Sequence, residues 1–146
     1  MSLLRNNKQK VKIPLNRDEY SDESKRSLGH EYLGDEYKDI KYKCAKCKKK
    51  TLFTASEQKR AFEVRKEYMW IKRTLCTPCW REMREIKSKL QAMELHYCEN
   101  KEQSLNSKDF LTSWLTLLVL HPQYGKTANP ARIVFVKKYL AMLKVQ

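Results

Sequence analysis

Glycine is scarce in this chain, with three among 146 residues. So are histidine, also three, and acidic side chains, 17 against 31 lysines and arginines. Three scattered glycines cannot build a loop that wraps a phosphate, and carboxylates this sparse form no clustered acid–base pair. Long apolar runs are missing as well. The most apolar stretch, residues 110–120, holds Thr112 and Ser113, and it falls well short of the roughly 20 residues that cross a bilayer. The first residues, Met-Ser-Leu-Leu-Arg-Asn-Asn-Lys, lack the apolar core of a secretory signal. Together these absences point away from an enzyme, a membrane partner and a small-molecule substrate, and towards the cytoplasm, where thiols stay reduced.

What the chain does have is positive charge and enough apolar material to fold. Apolar residues make up 41% and aromatic ones 10%, more than disordered chains carry. The net charge of +14 is unevenly spread: residues 1–43 hold 10 basic against 8 acidic side chains, residues 44–100 hold 14 against 7, and residues 101–146 hold 7 against 2. Such a surplus favours polyanions through counterion release, or else serves only to keep the protein solvated.

There are five cysteines, and four fall into two C-x-x-C pairs, Cys44/Cys47 and Cys76/Cys79. Two intervening residues let a tight turn aim both sulfurs at a point about 2.3 Å away, so two such turns supply the four ligands of a tetrahedral Zn²⁺. A closed four-thiolate shell leaves no open position, so one structural zinc ion is expected. Iron is an alternative occupant. A redox dithiol is another, since Cys-Thr-Pro-Cys carries the proline of a thioredoxin-type pair, but it lacks the βαβ surroundings and leaves the other pair unexplained. A module of about 60 residues buries too little to stand alone, whereas apparent zinc binding is worth about 10–16 kcal/mol.

The pattern Tyr42-x-Cys44-x-x-Cys47, then Phe53-Thr54-x-x-Glu57-Gln58, then Cys76-x-x-Cys79 resembles the zinc-ribbon or treble-clef zinc-binding domain of small bacterial proteins of unassigned function, over about residues 24–84. The resemblance implies that these cysteines bind Zn²⁺ and that Thr54, Glu57 and Gln58 organise the helix between the pairs. Two positions depart from the family: Lys48 stands where a glycine often follows the first knuckle, and Trp80 where an arginine often follows the last cysteine. Treble-clef nucleases add histidines around a catalytic metal, and no histidine lies between Cys44 and Cys79.

The expected fold is α+β and mostly α: a small four-cysteine module with a C-terminal helical extension. Residues 1–23 read as a flexible basic and polar arm, 24–98 as the zinc module with a long helix over 78–98, and 99–146 as a helical hairpin. Residues 14–39 read as extended, with a few tyrosines packed on the module, and residues 68–71 as a β-prone apolar run. Thr54-Ala-Ser-Glu57 has the form of a capping box and predicts a helix over 55–66, with Phe62 its main core contact. Thr77 is placed to cap the long helix with Pro78 in its first turn. Trp80, Met83, Ile86, Leu90, Met93 and Tyr97 then recur on one face. Residues 99–107 read as a polar linker. Ser107 opens a helix to residue 120, and Asn129-Pro130 opens the last one. His30, His96, His121 and Cys98 read as structural or exposed, since His96 and Cys98 alone cannot close a second metal site.

Two functions are open at this stage. Lys46, Lys48, Lys49 and Lys50 on the first knuckle, with Lys72, Arg73, Arg81 and Arg84 beside the second, suggest an RNA- or DNA-binding module, with Trp70 or Tyr68 stacking on a base. Trp114, Leu117 and Leu118 would instead serve a protein partner or a homodimer if they are left uncovered.

Overall fold

The computed structural model describes residues 11–145. Residues 1–10 of the arm read over residues 1–23 therefore lie outside the described residues, and within its remainder Ile13–Pro14 forms a strand, β1. The chain divides into two compact units that interleave along the sequence. One takes the residues up to Tyr42 together with Thr51–Arg73, and the other takes Lys43–Lys50 together with the residues from Thr74 onward. This differs from the sequential division at residues 23 and 98. The four cysteines recruit the knuckle segment into the second unit while the rest of the sequence around it stays in the first.

In the first unit β1 pairs antiparallel with β2 (Glu36–Tyr37), Ile13 opposite Tyr37. Residues 14–39 are not simply extended. A short helix α1 (Asp22–Arg26) forms there with Ser21 accepting a hydrogen bond from the Ser24 amide, as do a 3₁₀ turn capped by Asn16, which accepts from the Asp18 amide, and a second 3₁₀ turn that follows Gly29. Strands β3 (Ile40–Lys43) and β4 (Lys50–Phe53) make a second two-stranded sheet. Thr54 then caps α2 (Ala55–Lys59), its hydroxyl accepting from the Glu57 amide at 3.2 Å.

The expected continuous helix over 55–66 instead widens into a π-type turn over Arg60–Val64, with Arg65 N–H bonded to the Arg60 carbonyl. The wider turn accompanies the burial of both Ala61 and Glu63. Glu63 is compensated there by the Tyr37 hydroxyl at 2.7 Å and the Lys59 ammonium at 3.1 Å. Burial, together with hydrogen bonds to Tyr20 and Glu63, pushes the Tyr37 hydroxyl far above its ordinary range. Phe62 gathers the rings as expected, with Tyr20, Phe53 and Tyr37 at 5.7, 5.9 and 6.5 Å. Tyr32 stays in solvent.

Residues 68–71 form a turn, not a strand, and Trp70 and Ile71 are exposed. Trp70 is anchored by its indole N–H to Ser27 at 3.0 Å and lies against Gly29, where a β-carbon would come within 2.9 Å of the ring.

The second unit is helical: α3 (Thr77–Glu99), α4 (Lys101–Leu105), α5 (Lys108–Leu120), a 3₁₀ turn over His121–Tyr124 and α6 (Pro130–Lys144). The stretch read as a polar linker is α4. Its lysine, glutamate and glutamine are good helix formers, and Ser104 turns inward. Ser107 and Asn129 cap α5 and α6, accepting from the Phe110 and Arg132 amides at 3.2 and 3.1 Å. Leu111, Trp114 and Val136 are fully buried and Leu118 nearly so. The apolar face of α5 is therefore satisfied within the chain and offers no partner surface through Trp114 or Leu118. Arg132 ties three helices together: it pairs with Glu94 and lies 5.1–5.2 Å from the rings of Tyr97, Trp114 and Phe135.

On α3 the expected stripe holds for Met83 and Ile86, which are buried, and for Leu90, Met93 and Tyr97, which are half-buried. Trp80 departs from it at 38% exposed. His30 bonds the Arg17 carbonyl and His96 packs on Phe110. Among the described residues, no helix is long and apolar enough to cross a membrane.

Candidate metal centre

The centre begins at the turn after β3. The Cys44 N–H donates to the Lys49 carbonyl at 2.9 Å and the Lys48 N–H returns to the Cys44 carbonyl at 3.0 Å, which closes the knuckle. Lys48 adopts φ of 65° there, the left-handed conformation that glycine takes freely and a side chain takes at a cost. The geometry thus accounts for the glycine usual at this position. The Ala45 N–H donates to the Thr74 carbonyl at 2.8 Å, tying the first knuckle to the segment entering the second.

Cys76 itself, not Thr77, is the N-cap residue of α3, with Pro78 and Cys79 in its first turn. The Trp80 N–H donates to the Cys76 carbonyl at 2.9 Å. Two cysteines are therefore held by the start of a helix, where unpaired N–H groups and the helix dipole favour a thiolate.

The four sulfurs of Cys44, Cys47, Cys76 and Cys79 lie within 4.8 Å of one another, and Cys47 and Cys76 are 3.7 Å apart. Zn–S bonds of about 2.3 Å place sulfurs about 3.8 Å apart along a tetrahedral edge, whereas a disulfide needs about 2.05 Å. The measured spacing suits a shared ion and no disulfide.

The acidities of the thiols diverge. Burial acts against ionisation of Cys44, but the backbone N–H groups of Cys76, Cys47 and Lys46 overcome it and lower its pKa to about 6. Burial and the three neighbouring sulfurs push Cys79 up to about 12. Four thiolates cannot gather here without a cation to balance them, and the donor set fits one structural zinc ion. Cys47 is exposed and the other three are buried. Among the described residues these four form the one cluster of metal-ligating side chains, and Cys98 stands apart from it.

The helical extension contributes to the centre in a way the spacing of residues does not reveal. Cys44, Cys76 and Cys79 share a core with Leu75, Met83, Ile86 and Tyr124. Tyr124 donates to Glu82 at 2.9 Å. Burial, and then this carboxylate, push its hydroxyl up to about 12. The next residue, Gly125, has φ of 76°, and a β-carbon on it would meet Ala45 at 3.4 Å. The one sequence signal for this contact was an aromatic residue followed by glycine inside an otherwise polar loop.

The basic residues singled out from sequence are not equivalent. Lys48, Lys49 and Lys50 are exposed, and so are Arg81 and Arg84 on α3. Lys46 is half-buried with its ammonium 5.5 Å from the Tyr124 ring centre. Lys72 and Arg73 belong to the other unit. There Arg73 is engaged by Glu67 at 3.1 Å and by the Phe53 ring at 4.7 Å.

A sulfur-ligating knuckle, a β-hairpin and a helix that supplies the second cysteine pair define a treble-clef zinc-binding domain. In agreement, residues 38–88 match the family described as "Probable treble clef domain". The helices α4 to α6 lie beyond that match. No curated protein and no solved structure matches the chain.

Proposed function

We propose that the metal-centred unit is a non-catalytic nucleic-acid-binding module that works in the reducing interior of the cell. The observation that carries this is the knuckle segment Lys43–Lys50. It holds five lysines and no acidic residue, and Lys48, Lys49 and Lys50 face solvent. The sulfur cluster fixes this segment beside the start of α3, where Arg81 and Arg84 are also exposed. Rigid, closely spaced cations on a preformed turn gain affinity for phosphates through counterion release without an ordering cost. The closed thiolate shell gives the ion a structural task only. A role as protein adaptor has less support, because Trp114 and Leu118 are consumed by the chain's own core.

The test is binding to labelled RNA and DNA oligonucleotides across a salt series. Affinity should fall steeply with salt and vanish in Lys48→Glu/Lys49→Glu/Lys50→Glu, with zinc content unchanged. Absence of binding at low salt would sink the proposal.

A further inference from the structure

We infer that Trp80 is a base-stacking platform, and that the nucleic acid this unit takes is single-stranded. The inference rests on the nucleic-acid proposal above and deepens it.

A tryptophan one residue after a metal-ligating cysteine, and three before the buried Met83, would ordinarily be largely buried. Trp80 is 38% exposed. The buried side of α3 runs through Cys79, Met83 and Ile86. At helical spacing Trp80, Arg84, Lys87 and Gln91 stack on another side, flanked by Arg81 and Ser88, and all six are exposed. Neither acid of these turns falls on that strip. Glu82 is taken by Tyr124, and Glu85 borders the strip, one turn on from Arg81. The central row of Trp80, Arg84, Lys87 and Gln91 carries no acid and has an aromatic ring at its metal end. Its charge is complementary to a phosphate chain.

Arg84 lies 4.9 Å from the Trp80 ring centre. This contact holds the ring in place and adds a cation–π partner to any base brought against it. The same end of α3 carries the positive pole of the helix dipole. Through the sulfur cluster it is fixed next to the knuckle lysines. Phosphate contacts and a ring are thus presented together on a rigid support. A duplex can use only the first of these, because its base faces are stacked inside, whereas a single strand offers both.

The experiment measures fluorescence anisotropy of the full-length zinc-loaded protein with a labelled oligouridine strand and with an RNA duplex of equal charge. Wild type should favour the strand. Trp80→Ala should weaken strand binding by roughly tenfold and leave the duplex little changed, while Trp80→Phe restores most of the loss. Zinc content and circular dichroism report on folding. Should Trp80→Ala shed metal, Trp80→Leu keeps the apolar contact without the ring. Quenching of Trp80 emission by the strand in Trp70→Phe, with Trp114 buried, gives a readout that leaves Trp80 intact.

A preference for duplex overturns the inference. So does unchanged strand affinity in Trp80→Ala, or an equal loss on both ligands. In those cases salt-sensitive binding lost in the triple lysine variant would still uphold the nucleic-acid proposal. If wild type binds neither ligand at low salt, that proposal falls and this inference with it.

Discussion

The unit around Phe62 is assembled from strands of two to four residues and helices of at most five, while the other contains a 23-residue helix and the four cysteines. Elements so short cannot hold their shape alone. In the first unit rings and side-chain-to-backbone hydrogen bonds take over. Phe62 touches three other rings, and the Gln58 amide reaches the carbonyls of Lys38 and Phe53, the second at 2.9 Å. In the second unit the work is divided. Leu111, Trp114, Leu118 and Val136 form an ordinary apolar core, whereas at the start of α3 and the knuckle three of the seven core residues are metal-ligating cysteines. Metal coordination there supplements the apolar burial of Leu75, Met83, Ile86 and Tyr124.

The largest effect should follow from removing the metal. Apparent zinc binding of about 10–16 kcal/mol exceeds the stability of most small domains, so chelation, or Cys76→Ser, should release the knuckle and the first turns of α3. Hydrogen exchange should show residues 43–50 and 74–86 losing protection, while the segments holding Leu111, Trp114 and Val136 stay slow to exchange. If α5 and α6 open together with the knuckle, the division of labour inside this unit is wrong.

A smaller effect should mark the other side of the comparison. Phe62→Ala removes the ring around which Tyr20, Tyr37 and Phe53 are arranged. It should cost about 3 kcal/mol, the lower end for a buried phenylalanine because Phe62 is half-buried. Denaturant unfolding followed at the tyrosines would measure it, with zinc content held as the control. Loss of zinc in this variant would mean that the ring cluster and the metal centre are not separately stabilised.

The same contrast explains what could be read from the residues alone. Local chemistry was legible. C-x-x-C spacing located all four sulfurs, and Thr54, Ser107 and Asn129 cap the helices they were expected to cap. Each of these needs only neighbours within three or four residues. Choices settled by distant partners were not legible. Residues 68–71 have the composition of a strand but pair with none, so they turn. Trp80 sits at a core-like position in the helical repeat, yet Met83 and Ile86 face the core and it does not. Tyr124 reaches the metal centre from beyond α5, and no periodicity encodes that contact.

The finest test lies at Lys48, where the two roles proposed for one residue have opposite signs. Its φ of 65° costs roughly 1–2 kcal/mol for a residue with a β-carbon. Lys48→Gly relieves this strain but gives the unfolded chain more freedom, worth about 0.5–1 kcal/mol. It also loses the exposed bond from the lysine ammonium to the Ala45 carbonyl. The zinc-bound form should therefore gain at most about 1 kcal/mol, read as a higher denaturant midpoint at fixed metal concentration. The same substitution removes one knuckle cation, so nucleic-acid binding should weaken modestly and the salt slope should fall by about one. Higher stability with unchanged binding would make Lys48 a purely structural residue, and the charge contacts would then rest on Lys49 and Lys50. Lower stability would mean that the bond to Ala45 outweighs the strain.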